Sequence, residues 1–454
     1  MAIAAERPGS AVSLTCWMAE DLRVLLVAYA FPPVGGAGVQ RMLKLAKYLP
    51  RNGVTPSILT VSNPSVPVLD ETLSRDLPPG MEIVRARTFE PGYQVKQAAW
   101  TASADVKPTL RRRLMKRATG IAKQLLVPDP QVLWQPAAQL ALARRLATGK
   151  DHAVVISAPP FSQFMLAPLA RARPSVAVVL DYRDEWSTYR EMYEMMGSRL
   201  GAFLGDALEA SVLRAAHMVT TATEEFRENL LNKFAWLDPA RVEFIPNGFD
   251  PEDFPDDLPA PPSDRFVITY GGTVFKLTSA VGFLGGLRRL HAREPELAKL
   301  VDVRFIGRIV DTEAAAFEGS EELGVRRLGY RPHATVMRDL AASHLTLCIL
   351  DDVPNVEHIY PAKIFELMFL GRPILTLSPE GALTRLVRDH GLGEVIAPRD
   401  EEAIAASLER SVRAFVASSP DQRTRPSFSA SKVDRFDRRV IAAQFADVLR
   451  RARR

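Results

Sequence analysis

YPAKIFELMFLGRPIL, Tyr360 to Leu375, runs a helical pattern into a short apolar strand candidate, Pro373–Leu377, with almost no chain between them. A helix feeding a buried strand directly is half of a βα repeat, the unit of parallel sheets. Packing alone has no use for Lys363 and Glu366 three residues apart at the helix opening. Pro361 suits a first helical position, because its missing N–H would be orphaned there anyway. The N–H groups of Ala362, Lys363 and Ile364 are then expected to point out of the helix start, where the helix dipole favours an anion. Lys363 adds a full charge at that place. Glu366, one turn in, is placed to accept hydrogen bonds from a diol. A diphosphate at the tip with a sugar diol one turn deeper describes a nucleoside diphosphate. The plainer alternative makes Glu366 a complement to the dipole and Lys363 a solvated side chain.

Outward from this segment the same texture repeats. Strand candidates in the first half are Arg23–Ala30, Pro56–Val61, Glu82–Arg85, Ala153–Ser157, Val176–Asp181, Met218–Thr221 and Val242–Ile245. In the second they are Phe266–Tyr270, Val301–Ile306, Arg327–Leu328, Leu345–Leu350, Pro373–Leu377 and Gly393–Ile396. Between the two series lies NGFDPEDFPDDLPAPPSDR, 247–265, rich in Pro and Asp and without apolar period. The expected organisation is a disordered tail over 1–20, a first domain over 21–250, a linker over 251–265, a second domain over 266–430, and a closing helix within 431–454. Met18 is a candidate alternative start. A chain of 454 residues is too long for one ordinary core, which agrees with two domains.

Composition narrows the function classes. No apolar run approaches the roughly 20 residues that span a bilayer, and the N-terminus carries Glu6, Arg7, Glu20 and Asp21 among short apolar pieces, unlike a secretory signal. Cys16 and Cys348 make no disulfide framework, so a reducing cytoplasm is expected. The net charge of +5 is uneven: Lys107 to Lys123 holds seven basic residues and no acid. Leu110, Leu114, Ala118, Ile121, Ala122 and Leu125 recur there at helical spacing. A basic amphipathic helix over 107–127 suits the inner, anionic face of a membrane, or simply a solvated face with its apolar side on the protein. Nucleic acid is not expected, since no aromatic-interleaved basic stripe or reader motif follows.

Two further loops follow strands and carry glycine. FPPVGGAGVQR, Phe31–Arg41, places Gly35, Gly36 and Gly38 before an amphipathic helix, where backbone N–H groups approach a ligand closely. Its nicotinamide-dinucleotide reading fails, because the second strand ends SILTVSN without the acid that would hold a ribose hydroxyl. FVITYGGTVFKLTS, Phe266–Ser279, places Gly271 and Gly272 at a strand end and Lys276 before the next helix, a lysine suited to a diphosphate. The histidines are scattered without metal-ligand spacing, and Asp351–Asp352 reads as a solvated strand end, so no metal is expected.

Taken together these segments resemble the family-4-type retaining glycosyltransferases of GT-B fold, from about Arg23 to the C-terminus. FPPVGGAGVQRMLKLAKYLPRNG is similar to that family's first glycine loop and helix; SAPPFS and DYRDEWS to its signatures near the fourth and fifth strands; FIPNGFD to the close of its first domain; YPAKIFELMFLGRPIL to its donor-site helix. The resemblance implies an α/β protein of two Rossmann-like doubly wound domains facing across a cleft, with a C-terminal helix crossing back to the first. It implies a nucleotide-sugar donor in the second domain and a sugar, lipid-linked or small-molecule acceptor in the first. Glu366 matches the ribose contact, Lys276 a basic residue at the diphosphate, and Gly36 and Gly38 the loop approaching the donor phosphates. Gly272, Ala362 and Lys363 join that donor set. Many relatives carry a second glutamate eight residues before the ribose one. Here that position is His358, with Glu357 beside it.

Transfer from such a donor needs the leaving diphosphate stabilised as its charge grows, which fixed cations and N–H groups do without reorganising. Lys276, Lys363 and the tip after Pro361 are the candidates, and they stand in for a metal. In DYRDEW, Asp181–Trp186, Asp184 is the candidate for hydrogen bonding near the reacting centre, with Arg183 beside it, or the two form a structural pair. No nucleophile is assigned. The competing readings are a nucleotide-sugar epimerase of the same fold and a non-catalytic binding subunit.

Overall fold

A computed structural model describes residues 21–66, 69–94, 126–186, 199–424 and 433–454. The tail over 1–20, and all but the last two residues of the basic helix expected over 107–127, lie outside the described residues.

Two all-parallel sheets form. The first joins β1 (Leu22–Val27), β2 (Val54–Val61), β3 (Ile83–Ala86), β4 (Ala153–Ala158), β5 (Ala177–Tyr182), β6 (Met218–Thr221) and β7 (Val242–Phe244) in the order β3-β2-β1-β4-β5-β6-β7. The second joins β8 (Phe266–Gly271), β9 (Val301–Ile306), β10 (Val325–Gly329), β11 (Leu345–Ile349), β12 (Ile374–Leu377) and β13 (Gly393–Ile396) in the order β10-β9-β8-β11-β12-β13. Strands such as β4 and β5 are buried along their whole length, as their unbroken apolar runs require of a sheet covered on both faces. Strand β1 stops at Val27 rather than Ala30, because the Tyr29 N–H leaves the ladder to donate to the Gln163 side-chain oxygen at 2.6 Å.

The longer helices are α1 (Ala37–Tyr48), α2 (Gln135–Ala147), α3 (Arg199–Ala215), α4 (Glu224–Lys233), α5 (Val281–Arg293), α6 (His333–Ala341), α7 (Lys363–Leu370), α8 (Ala382–Asp389), α9 (Glu401–Ala417) and α10 (Arg438–Ala452). Helices α2, α3 and α4 cover one face of the first sheet through Leu142, Val212, Leu213 and Leu230. The other face is closed by α1 and by α10, which returns from the chain's far end with Ile441, Phe445, Val448 and Leu449. The second sheet lies between α5 and α9 on one side and α6, α7 and α8 on the other. No helix of the described residues is long and apolar enough to cross a membrane.

Two helix starts differ from expectation. Helix α10 begins at Arg438 rather than Val433: Asp434–Phe436 forms a 3-10 turn, and Asp437 is extended. Those residues are drawn into backbone bonds with Phe249, whose N–H donates to Phe436 at 3.0 Å and whose carbonyl accepts from Arg438 at 2.9 Å. Helix α7 begins at Lys363, so Pro361 sits before the helix rather than in its first position. The Ile364 N–H is occupied by the Pro361 carbonyl at 3.0 Å, which narrows the expected anion tip to Ala362 and Lys363.

Candidate active site

In each sheet the strand order reverses once, between β1 and β4 and between β8 and β11. Ligands of open parallel sheets bind outside the carboxyl ends of the strands at such reversals. Both crevices open into one cavity of about 700 Å³ between the two sheets. Its wall includes Gly36, Gly38, Arg183 and Asp184 from the first sheet's loops and Gly272, Ala362, Lys363 and Glu366 from the second's.

The second sheet's side is built by close approach. Gly272 has φ 139°, and a Cβ on Gly307 would lie 2.2 Å from its carbonyl oxygen, so the loops after β8 and β9 touch backbone to backbone. A side chain on Gly272 would meet Lys363 Nζ at 2.9 Å. That ammonium donates to the Tyr270 hydroxyl at 2.7 Å and stands 4.0 Å above the Tyr270 ring centre, which holds it over the strand end. Glu366 faces His333, the first residue of α6, whose Nε2 lies 2.9 Å from Oε1. Burial alone would lower the His333 pKa, but the Glu366 carboxylate, with Asp253 behind it, outweighs that and raises it.

On the first sheet's side Arg183 braces the loops. Its guanidinium donates to the carbonyls of Gly38 and Pro159, and at 3.4 Å to Ala158, tying the glycine loop to the turn after β4. Asp184 lines the cavity, and burial raises its pKa against the opposing charge of Arg183. Beneath them Arg41 is buried and forks onto Asp181 at 2.8–3.1 Å, with the carbonyls of Ile245 and Pro246 taking its other N–H groups. Lys44, one turn on, reaches Asp250 at 2.7 Å and also binds Asp76 and Asp253. These carboxylates are the one cluster with metal-site spacing among the described residues, and an ammonium already occupies its centre.

Three expected donor residues do not reach the cavity wall. Lys276 is exposed in the 3-10 turn Lys276–Thr278, while its neighbours Phe275, Leu277 and Thr278 face inward. Glu357 and His358 sit in the turn Val356–His358, 3.5 Å from each other, just before the wall residues Ile359 and Tyr360 and not themselves in the wall. Asp351 is not solvated: it is buried against Arg399 at 3.0 Å, because the turn after β11 folds under the loop before α9. Sequence reasoning missed His333, Tyr270, Arg308, Arg331 and Arg438, all but Tyr270 in the cavity wall. The first four stand at or just after the carboxyl ends of β8, β9 and β10, where the reversal rule would have directed attention.

Residues 35–248 match the model of the glycosyl transferase 4-like domain. A D-inositol 3-phosphate glycosyltransferase of Stackebrandtia nassauensis is 26% identical over 215 residues, which cover 45% of this chain and 48% of that protein. The match thus spans about half the length of the curated relative. Among solved structures, the N-terminal domain of Candida albicans trehalose-6-phosphate phosphatase is similar over 94% of this chain and 97% of its own, with 12% identity and a TM-score of 0.58. HepE of Anabaena, solved in complex with UDP and glucose, is similar over 94% and 99%, with 13% identity and a TM-score of 0.56. At such identities the likeness concerns the fold, two Rossmann-like domains in tandem. Residues 35–248 therefore carry the glycosyl transferase 4-like domain.

Proposed function

We propose that the chain transfers a sugar from a nucleoside-diphosphate sugar to an acceptor hydroxyl, with retention at the anomeric carbon, in glycan, glycolipid or glycoconjugate synthesis. The observation that carries this reading is the single cavity joining the α7 tip, Lys363 and Glu366 to the Gly36–Gly38 loop and Asp184 across from them. Its volume of about 700 Å³ falls in the range of small-molecule sites. The diphosphate lies at Ala362 and Lys363, beside the Gly272 backbone. Charge growing on the leaving group meets N–H dipoles and an ammonium already held in place by Tyr270. Asp184, half-buried in the wall, hydrogen-bonds the acceptor hydroxyl on the opposite side. The counter-charge comes from the protein, so chelation is expected to leave turnover unchanged; activity lost to EDTA and restored by Mg²⁺ would assign that role to a cation.

The test is nucleotide release from a donor panel, with and without sugar and lipid-extract acceptors. Acceptor-dependent release, with a product anomer matching the donor by NMR, supports a retaining transferase. Isomerisation without acceptor identifies an epimerase, and binding with neither identifies a non-catalytic subunit. For the basic stretch over 107–127, peripheral attachment to anionic membrane is the reading. Sedimentation with phosphatidylglycerol liposomes should fall sharply when Arg111, Arg112 and Arg113 become Glu, and equal pelleting would remove it.

A further inference from the structure

Arg438, the first residue of α10, is a charge that packing does not explain. Its side chain is buried, with 6% of the residue exposed, and Nη1 has no hydrogen-bond partner among the described residues. It also sits at the positive end of its own helix, where a cation is disfavoured. Burial and the neighbouring Arg41 push its pKa down to about 10, against the upward pull of Asp253, Asp250 and Glu366. An apolar side chain would fill this place without leaving a buried donor unmade, which is costly. Arg438 nevertheless lines the cavity that Glu366 lines.

Phe436, in the turn before α10, packs on Phe365 of α7 with ring centres 5.3 Å apart, so the start of the crossover helix adjoins α7, and the Glu366 charge acts on Arg438. Asp250 and Asp253 are already met by Lys44, which leaves Glu366 as the acceptor in this wall that can share a ligand with Nη1, and a neutral hydroxyl serves a carboxylate and a guanidinium at once. Each hydroxyl of a sugar diol has a proton to give and lone pairs to fill. A carboxylate satisfies the first need and a guanidinium the second.

We propose that Arg438 completes a diol clamp with Glu366: the carboxylate accepts from the two hydroxyls of the nucleotide ribose, and the Arg438 guanidinium donates to their oxygens. The clamp rests on the reading of the cavity as a nucleotide-sugar site. It makes the C-terminal crossover helix a contributor of a specificity residue as well as a cover for the first sheet.

The experiment is calorimetry of UDP, GDP and ADP, each with its 2′,3′-dideoxy counterpart, on the full chain and on Arg438→Met, Arg438→Gln and Arg438→Lys. The unaltered chain should favour the ribose form by about tenfold or more. Arg438→Met should lose most of that preference while its affinity for the dideoxy form changes less than about twofold. Arg438→Lys should recover part of it. Circular dichroism checks each fold, and if the Met variant does not fold, the Gln variant carries the comparison. Equal loss on both ligand forms, or a preference that survives substitution, overturns the clamp. Failure of the unaltered chain to bind any nucleoside diphosphate overturns the nucleotide reading beneath it.

Discussion

Glu366 holds a hydrogen bond in the structure before any ligand arrives, because His333 stands against it at 2.9 Å. Removing the carboxylate takes away a charged acceptor, and Glu366→Ala should weaken nucleoside diphosphate binding by about 1.5–3 kcal/mol, roughly 10- to 150-fold. Calorimetry reads this directly, and an unchanged affinity would detach Glu366 from the site. The same pair makes a pH prediction. A histidine whose folded pKa is raised stabilises most where it is protonated. Its contribution is complete below its ordinary value of 6.5 and fades as pH rises through the raised folded value. The stability gap between the chain and His333→Asn should therefore be larger at about pH 5.5 than at about pH 8.5. Urea unfolding at the two values measures it, and a gap that grows with pH would contradict the pairing.

Helix α1 is pinned to the sheet beneath it by one ion pair. Arg41 and Asp181 are both fully buried, and Ser157 and Thr220 each donate to Asp181 at 2.7 Å. Burial raises the Asp181 pKa, but the Arg41 charge and these donors overcome it and leave it lowered. Breaking a buried pair from one side strands the other charge, so Arg41→Met should cost about 3–5 kcal/mol. Chemical denaturation gives the value. A loss below about 1 kcal/mol would mean that water or Lys44 takes over the carboxylate. The pair also explains how the Gly36–Gly38 loop is held: the helix it opens cannot shift without moving Arg41.

Across the whole molecule, the segment leaving the first sheet and the segment entering α10 pass in contact. A Cβ on Gly248 would lie 1.9 Å from the Phe436 carbonyl oxygen and 2.6 Å from Ile441 Cδ1. Gly248→Ala therefore must push the crossover helix off its seat, at roughly 1–3 kcal/mol for overpacking. Hydrogen exchange should rise in α10 and along α1, which share one apolar cluster, while α5 and α9 stay protected. Uniform exchange across both sheets would show that the crossing point is not a separate mechanical element.

The βα architecture was legible in the chain because a parallel strand buried on both faces must be an unbroken apolar run, and such runs are local. Every expected strand forms, including the short β10, and the Lys363–Glu366 pair stands in the cavity wall because both lie on one helix start. The companions of that pair were not legible. His333, Tyr270 and Arg438 come from other strand ends and another helix, 33, 93 and 72 or more residues away in sequence, and no period encodes which loops the sheet order brings together. Lys276 shows the reverse. Its place after a glycine strand end reads as a phosphate ligand, yet in the 3-10 turn it is exposed while Phe275 and Leu277 line the wall. Local chemistry is written in sequence neighbours; the composition of a cleft is decided by strand order and packing between elements that are strangers along the chain.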